Sequence, residues 1–289
     1  MSNIEKTFEN PVAVLKRYGL YAKKSWGQNF LVSEKAINKI TQECQFNSLP
    51  VLEIGAGLGT LTSSLLNAGI IVTAIERDED MCTVLKNEFE NISNFTLLET
   101  DAGQFNYSDY LKVTPSIIAG NLPYQITGKI LRQIMDTYQS VNKAVFMVQK
   151  EAADRICAQK GDTNRGALSV ITQARFSARI VHRLKPTAFH PPPKVHSAVI
   201  TFLPVNKEFL PFEQMPTFDK IVKAAFLNRR KNIKNSLKNS GIIKGDNPDE
   251  LLAIASISQT TRAQDLSIEE FVKLTSKAIE MNILNVSTL

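Results

Sequence analysis

The stretch VLEIGAGLG, residues 51–59, decides the fold of this chain. Its apolar start predicts a buried strand, and the pattern around residues 60–68 predicts a helix immediately after the glycines. Glycines permit a tight turn and let a ligand approach the backbone closely. The spacing G-x-G-x-G matches neither the dinucleotide fingerprint G-x-G-x-x-G nor a nucleotide phosphate loop, because no G-K-S/T follows. By itself, this turn fits close packing as well as ligand binding.

The alternation of short apolar runs with helical patterns continues along the chain. The runs cover 51–55, 70–76, 95–99, 116–120 and 144–148, and the helical patterns lie around 60–68, 79–90, 126–138 and 151–159. Buried β-branched strands that alternate with helices predict a parallel sheet with helices on both faces, as in a Rossmann-like α/β domain. The last two strand runs, 176–184 and 198–203, are separated only by a proline-rich loop. We therefore expect a mostly parallel seven-stranded sheet with an antiparallel hairpin at its edge.

The composition changes after Pro204. Residues 205–289 lack convincing strand patterns and show helical patterns around 217–239, 248–256 and 267–281. The sequence therefore predicts an α/β domain over residues 1–204 and a small all-α domain over residues 205–289.

Charge and cysteine content limit the class of protein. The chain has 289 residues, a net charge of +6 and a pI of about 9.1. This excess of positive charge favours an anionic partner, nucleic acid rather than a membrane surface. A requirement for solubility alone would also explain it. Cys44, Cys82 and Cys157 form no Cys-x-x-Cys or Cys/His cluster, so we expect no metal site. The N-terminal residues do not form a signal peptide and no apolar run is long enough to span a membrane, so we expect a cytoplasmic protein. No large exposed apolar helix face stands out, so we expect a monomer.

Four strand runs in succession end on a residue suited to ligand binding. These residues are Gly55, Glu76, Asp101 and Asn121. Ligands of open parallel sheets bind at the carboxyl ends of the strands, so we expect one shared site, although a single strand-end acid is more often a helix cap. Glu76 could accept hydrogen bonds from two ribose hydroxyls, and Asp101 from an adenine amino group. An acidic pocket suits a positive sulfonium, which indicates S-adenosylmethionine as the cofactor.

The tetrapeptide Asn121-Leu122-Pro123-Tyr124 follows the fourth of these strand runs. An adenine N6 amine is a poor nucleophile because its lone pair is delocalised into the ring. The Asn121 side-chain oxygen and a backbone carbonyl, that of Leu122, could accept its two N–H groups and free the lone pair. Pro123 would fix the backbone, and Tyr124 could stack on the base. The alternative is an Asn-Pro turn that merely starts the next helix.

The segment from Lys223 to Lys238 is basic and contains no acid. A helix over 217–239 would place Arg230 and Lys234 on one face, which suits contact with RNA phosphates. A solvated helix face is the alternative. Lys16, Arg17, Lys23 and Lys24 could extend this surface.

Six motifs occur in the order found in one known family: KKSWGQNFL (23–31), EIGAGLGTLT (53–62), the strand ends Glu76 and Asp101, NLPY (121–124), HPPPKVHSAV (190–199) and AFLNRRKNIKNSL (225–237). From about residue 12 to the C-terminus, the chain resembles the bacterial small-subunit ribosomal RNA adenine dimethyltransferases, the kasugamycin-sensitivity methyltransferase family. NLPY with QNFL is also found in the erythromycin-resistance methyltransferases and the mitochondrial transcription factor B proteins. The proline-rich loop and the NRRKNIKNSL segment favour the small-subunit enzymes.

The resemblance implies a class I methyltransferase that uses S-adenosylmethionine. Its substrate would be two adjacent adenosines in the 3′-terminal hairpin loop of 16S rRNA within the 30S particle, dimethylated at N6 late in subunit assembly. The residues expected to bind the cofactor are Asn29, Leu31, Gly55, Gly57, Glu76, Asp101 and Asn121. Those expected to contact RNA are Phe189, Arg229, Arg230, Lys231 and Lys234. Phe189 would stack opposite Tyr124 or, alternatively, lie in the core, and no metal is implied.

Two departures from the family pattern are small. Ala56 stands where proline is common and Trp26 where leucine is common, and neither removes a group that the chemistry uses. An assembly factor that acts by binding alone and a large-subunit resistance enzyme remain the competing functions.

Overall fold

A computed structural model describes residues 9–23, 26–244 and 248–285. Lys24, named above as part of a basic surface, lies outside these residues. Among the residues that the structure describes, no helix is long and apolar enough to cross a membrane.

Strands and helices alternate through the first two thirds of the chain. The strands are β1 (Phe30–Leu31), β2 (Val51–Ile54), β3 (Val72–Glu76), β4 (Phe95–Glu99), β5 (Ile117–Asn121), β6 (Lys143–Gln149), β7 (Phe176–Leu184), β8 (Phe189–His190) and β9 (Ser197–Pro204). The first helices are α1 (Pro11–Tyr18), α2 (Glu34–Cys44), α3 (Thr60–Asn67), α4 (Glu79–Phe89), α5 (Tyr107–Val113), α6 (Thr127–Asp136), α7 (Lys150–Cys157) and α8 (Ala167–Gln173). The remaining helices are α9 (Met215–Ala225), α10 (Ile233–Ser240), α11 (Pro248–Ile254) and α12 (Ile268–Glu280).

Seven strands of the described residues form one sheet in the order β4-β3-β2-β5-β6-β9-β7. The pairs β3–β4, β2–β3, β2–β5 and β5–β6 are parallel, whereas β6 and β9 are antiparallel. β7 and β9 are neighbours at the edge, where the sequence predicts a hairpin. The predicted mostly parallel seven-stranded sheet is confirmed. The chain order reverses between β2 and β5, and a crevice opens at such a reversal beside the carboxyl ends of the strands.

The central strands are buried on both faces, as parallel strands covered by helices must be. Every residue of β2 is buried, and in β6 only the last residue is partly exposed. β2, β5 and β6 contribute Val51, Ile117, Ala119, Val145 and Met147 to the principal apolar core. Val14 and Leu15 of α1 pack in a separate cluster with Phe30, Leu58, Met81 and Val84.

The chain divides into two compact units. The first comprises the described residues of Met1–Ala153 and Ser177–Pro204, and the second those of Asp154–Phe176 and Val205–Leu289. The division after Pro204 coincides with the predicted domain boundary, but residues 154–176 belong with the helices rather than with the predicted continuous domain 1–204.

Buried arginines explain why residues 154–176 join the helical unit. Arg165, 2% exposed, donates hydrogen bonds to the carbonyl oxygens of Gln264, at 2.7 Å, and Leu266. Arg175, 3% exposed, pairs with both carboxylate oxygens of Asp219 at 2.9 and 3.1 Å. Each guanidinium therefore finds its partners far along the chain, a pairing that composition and periodicity do not reveal.

The helical pattern predicted over 217–239 is confirmed at both ends, but one continuous helix is wrong. α9 ends at Ala225 and α10 begins at Ile233, so a turn over residues 226–232 separates them. Asn232 supplies the physical reason, because its side chain accepts a hydrogen bond from the Asn235 amide at 2.9 Å and caps α10. Two short helices, α5 and α8, are also absent from the predicted pattern.

Candidate active site

One cavity of the first unit lies at the carboxyl ends of the parallel strands. Each residue expected to bind the cofactor lines it, as do the four residues of the NLPY motif; together these are Asn29, Leu31, Gly55, Gly57, Glu76, Asp101, Asn121, Leu122, Pro123 and Tyr124. Strands β2, β3 and β5 and the loop after β4 therefore bring to one place the side chains that their strand-end positions predict.

The glycine turn serves packing as well as the cavity. Gly55, Gly57 and Gly59 have φ values of +69°, +57° and +77°, a region that glycine adopts without strain. A Cβ on Gly59 would stand 2.4 Å from the Phe89 ring, so close packing requires this glycine. Gly55 and Gly57 line the cavity, so the two explanations of the turn apply to different glycines.

Glu76 ties the glycine turn to the end of β3. Its Oε2 accepts a hydrogen bond from the Gly57 amide at 2.9 Å. Its Oε1 accepts from the amides of Arg77 and Asp78 at 2.8 and 2.9 Å. A carboxylate oxygen has about two acceptor positions, so Oε1 is saturated and Oε2 retains room for one further donor. A ribose would therefore find one acceptor position on Glu76 as the side chain stands.

Asp101 is held from two sides. Its Oδ1 accepts a hydrogen bond from the Gly103 amide at 2.7 Å, and its Oδ2 pairs with the Arg77 guanidinium at 3.0 Å. The side chain is 27% exposed and lines the cavity. These contacts fix the carboxylate as an acceptor at the end of β4.

The orientation of the Asn121 side chain is set by a long-range contact. Its Nδ2 donates a hydrogen bond to the carbonyl oxygen of Asn29 at 2.9 Å. This contact with the residue before β1 fixes the rotation of the amide, whose Oδ1 can accept a hydrogen bond from a ligand. The Leu122 amide donates to the Met147 carbonyl at 3.2 Å, and the Leu122 side chain is only 1% exposed, so the backbone after Asn121 is fixed as well.

Pro123 and Tyr124 are also anchored. The Pro123 carbonyl accepts hydrogen bonds from the amides of Ile126 and Thr127, at 3.0 and 3.1 Å, and so begins α6. The Tyr124 hydroxyl lies 2.8 Å from Ser197 Oγ at the start of β9. Burial raises the pKa of Tyr124, and the hydrogen bond with Ser197 acts in the opposite direction. The ring is therefore a neutral, positioned wall of the cavity.

A model of the family described as ribosomal RNA adenine dimethylase matches residues 19–280. The chain belongs to the ribosomal RNA adenine dimethylase family. It is 37% identical over 269 residues to the ribosomal RNA small subunit methyltransferase A of Myxococcus xanthus, covering 92% of this chain and 94% of the relative. The protein of the same name from Treponema denticola is 37% identical over 271 residues, with 91% of each chain covered.

Solved structures support the dimethylase fold. A dimethyladenosine transferase from Plasmodium falciparum matches with a TM-score of 0.75 at 23% identity, covering 88% of this chain and 99% of that one. The 23S rRNA methyltransferase ErmE matches with a TM-score of 0.66 at 24% identity, covering 86% and 99%. The chain is therefore an rRNA adenine dimethyltransferase with a class I methyltransferase fold, a class that generally uses S-adenosylmethionine.

Phe189 is a predicted site residue that lies in the core instead of the cavity. It is 3% exposed and packs in the principal core, while its backbone pairs with Leu31 in the two-stranded sheet β1–β8. It does not belong to the cavity lining. In this structure Phe189 is therefore a core residue, which was the alternative interpretation. It does not occupy the predicted stacking position opposite Tyr124.

The basic residues predicted to contact RNA lie in the second unit. Arg229, Arg230 and Lys231 are exposed in the turn between α9 and α10. Arg229 also donates a hydrogen bond to the Thr163 carbonyl at 2.6 Å, and Lys234 pairs with Asp249 at 2.7 Å. Two of these basic residues therefore have partners within the unit, and the other two are the more direct candidates for a phosphate.

Sequence reasoning gave no role to several residues of the cavity, namely Trp26, Gln28, Glu53, Thr60 and Arg77. Glu53 is the most buried of the acids that line the cavity, at 2% exposed, and accepts a hydrogen bond from Thr62 Oγ1 at 2.6 Å. Burial, reinforced by the nearby Glu76 charge, raises its pKa from 4.5 to about 7. Its position within the apolar run 51–55 is the available signal, because an acid in an otherwise apolar buried strand must be neutralised or partnered.

Replacing Glu53 by glutamine is expected to flatten the pH dependence of stability. Because the pKa of Glu53 is raised on folding, its stabilising contribution is complete below about pH 4.5 and is lost as the pH rises through about 7. A pKa shift of this size lowers the free energy of unfolding by roughly 3 kcal/mol between pH 4.5 and about 7. Urea unfolding at a series of pH values measures it. A Glu53→Gln protein with the wild-type slope between pH 5 and about 7 would contradict the assignment.

Proposed function

We propose that this protein transfers methyl groups from S-adenosylmethionine to N6 of two adjacent adenosines in the 3′-terminal hairpin loop of 16S rRNA. The substrate is the 30S particle, late in small-subunit biogenesis in the cytoplasm, and the protein acts as a monomer. The names of its relatives in Myxococcus xanthus and Treponema denticola, with the resemblance of its motifs to the small-subunit enzymes, support this over a large-subunit substrate.

The hydrogen bond from Asn121 Nδ2 to the Asn29 carbonyl carries the proposal. It fixes the rotation of the amide and uses its nitrogen, so that Oδ1 is held in one place as the acceptor that activation of an adenine amine requires. With Oδ1 and the Leu122 carbonyl accepting the two N–H groups, the amine becomes tetrahedral and its lone pair is freed for attack. Such placed acceptors lower the barrier because they need no reorganisation during the reaction. The proton then leaves a cationic amine, so no strong base is needed.

The residues of the cavity fit S-adenosylmethionine. Glu76 and Asp101 present fixed carboxylate acceptors, Gly55 and Gly57 allow close backbone approach, and the acids suit a positive ligand. When bound, the cofactor supplies an electrophilic methyl group on its sulfonium. The side chain of Tyr124, anchored by Ser197, offers a face on which the target base can stack, worth about 1–3 kcal/mol.

The second unit supplies the proposed contact with rRNA. Arg229, Arg230, Lys231 and Lys234 lie in or just after the turn between α9 and α10, where exposed basic side chains suit phosphates. Such contacts position the particle rather than read its sequence, and they weaken steeply with salt.

A methyl-transfer assay tests the proposed function. Purified protein and tritiated S-adenosylmethionine are mixed with 30S subunits from a strain that lacks the modification, and in parallel with 50S subunits and free 23S rRNA. Label recovered as dimethyladenosine from 30S alone is the expected result. Label on 23S rRNA would assign the protein to the resistance enzymes. Binding to 30S without label on any RNA would favour an assembly factor that acts by binding alone.

Replacing Glu76 by alanine should lower the affinity for S-adenosylhomocysteine by about 10–100-fold, because a hydrogen-bonding carboxylate is lost. Binding to 30S should persist, because the proposed contacts with RNA phosphates lie in the other unit. Calorimetry and subunit co-sedimentation measure the two affinities separately. Glu99→Ala is the matched control, since Glu99 ends the next strand, is 51% exposed and lies outside the cavity lining. Equal loss of both affinities in Glu76→Ala would contradict this separation.

A further inference from the structure

Trp26 and Arg77 form a connected pair in the cavity lining. Both line it, and the Arg77 guanidinium carbon lies 4.6 Å from the centroid of the Trp26 ring. The same guanidinium donates to Asp101 Oδ2 at 3.0 Å. A single guanidinium thus joins an aromatic ring to the carboxylate that is expected to accept an adenine amino group. In the function described so far, Arg77 only holds Asp101 and Trp26 has no role.

The Trp26 ring is held in place by a second cation, Lys23, which belongs to a hydrogen-bonded network. Lys23 Nζ lies 5.3 Å from the ring centroid and pairs with Asp78 and Asp80, each at 2.7 Å. Gln28 Nε2 donates to the second Asp78 oxygen at 2.7 Å. Asp78 is 1% exposed and caps α4, so it is a rigid anchor. The ring therefore stands at a defined place beside the cavity although it is 39% exposed.

We propose that Trp26 and Arg77 form the wall of the cavity against which the adenine ring of the cofactor packs, with Arg77 as a positioning residue for Asp101. An indole and a planar guanidinium are both surfaces on which a base stacks. Arg77 orients Oδ2 of Asp101 while the Gly103 amide orients Oδ1, so the carboxylate is aligned before the ligand arrives. This inference rests on the proposed cofactor and adds to it the residues that select adenine.

The chain carries its own reporter, because Trp26 is its one tryptophan. Selectively excited tryptophan fluorescence is titrated with adenosine, S-adenosylhomocysteine and methionine. Saturable changes are expected with adenosine and S-adenosylhomocysteine, and none with methionine. The signal should vanish in Trp26→Phe, whose binding is then followed by calorimetry. A response to methionine alone, or silence towards S-adenosylhomocysteine that calorimetry shows to be bound, would overturn the proposal.

Arg77→Leu separates positioning from general support of the fold. S-Adenosylhomocysteine should bind about 5–30-fold more weakly, as expected for a lost stacking surface. The sharper readout is the preference for S-adenosylhomocysteine over S-inosylhomocysteine, which lacks the amino group. The wild type should favour the adenine compound by about tenfold or more, because a hydrogen bond to a charged acceptor is lost with inosine. Arg77→Leu should reduce that preference several-fold, and Arg77→Lys should restore it in part.

A structural role for Arg77 would weaken both ligands equally and leave the preference unchanged, which would overturn the proposal. Lys86→Leu is the matched control, because Lys86 also pairs with a strand-end acid, Glu99, at 2.7 Å but lies outside the cavity lining. Its affinities should equal those of the wild type. These measurements use no RNA, so failure to methylate 30S would refute the proposed function without touching this result.

Discussion

Replacing Asn121 by alanine is expected to lower kcat for RNA methylation by about 10²–10³-fold, the loss seen when one preorganised electrostatic contact is removed from an active site. The affinity for S-adenosylhomocysteine should change far less. The reason is the orientation of the amide, whose nitrogen bonds the Asn29 carbonyl at 2.9 Å and leaves Oδ1 to the substrate. Single-turnover transfer from tritiated S-adenosylmethionine at saturating RNA measures the chemical step.

Two further variants give this prediction its controls. Asn121→Asp keeps an acceptor oxygen but loses the donor to Asn29, so it should retain part of the rate if acceptance is the function of the side chain. Asn94→Ala changes an exposed asparagine before β4 that lies outside the cavity lining and should behave as wild type. A single-turnover rate for Asn121→Ala within a factor of about three of the wild type would remove the amide from the proposed mechanism.

Replacing Gly120 by alanine should destabilise the first unit by about 3 kcal/mol or more, because overpacking against backbone cannot be relieved by a side-chain rotation. A Cβ at Gly120 would stand 2.4 Å from the carbonyl oxygen of Ile54. Gly120 lies in β5 beside β2, so the two central strands would have to separate at the residue before Asn121. Urea unfolding followed by circular dichroism gives the change in midpoint and slope.

Gly128→Ala is the matched control, since it makes the same substitution in the same unit. Gly128 lies in α6, and a Cβ there would meet nothing within 4 Å. Alanine favours helices over glycine by about 1 kcal/mol, so this variant should be unchanged or slightly more stable. If Gly120→Ala unfolded at the wild-type urea concentration, the close approach of β5 to β2 would be wrong.

The sequence reveals the site better than it reveals the surroundings of the site. The cavity residues at strand ends could be predicted because parallel strands bring their carboxyl ends to one edge, so Gly55, Glu76, Asp101 and Asn121 needed only the strand pattern. The Arg77–Asp101 pair and the Asn29–Asn121 bond depend on side-chain geometry between distant segments, which periodicity does not contain.

Three failures have definite physical causes. The burial of Phe189 follows from the pairing of β8 with β1, two strands of only two residues each, too short to give a pattern. The helix over 217–239 is interrupted because Asn232 caps a new helix. One asparagine among basic and apolar residues does not by itself predict that a helix begins there. Residues 154–176 join the helical unit through buried arginines that look, in sequence, like any exposed basic residue.

The division of the helical unit between two parts of the chain has a consequence for synthesis. Arg165 finds its carbonyl partners 99 and 101 residues later in the chain. At about 5–20 residues per second, translation leaves this guanidinium without them for roughly 5–20 s. Residues 154–176 therefore cannot complete their packing until the last helices of the chain emerge. A release of the chain after Pro204 would yield a sheet that carries an orphaned fragment of the other unit, rather than an isolated catalytic domain.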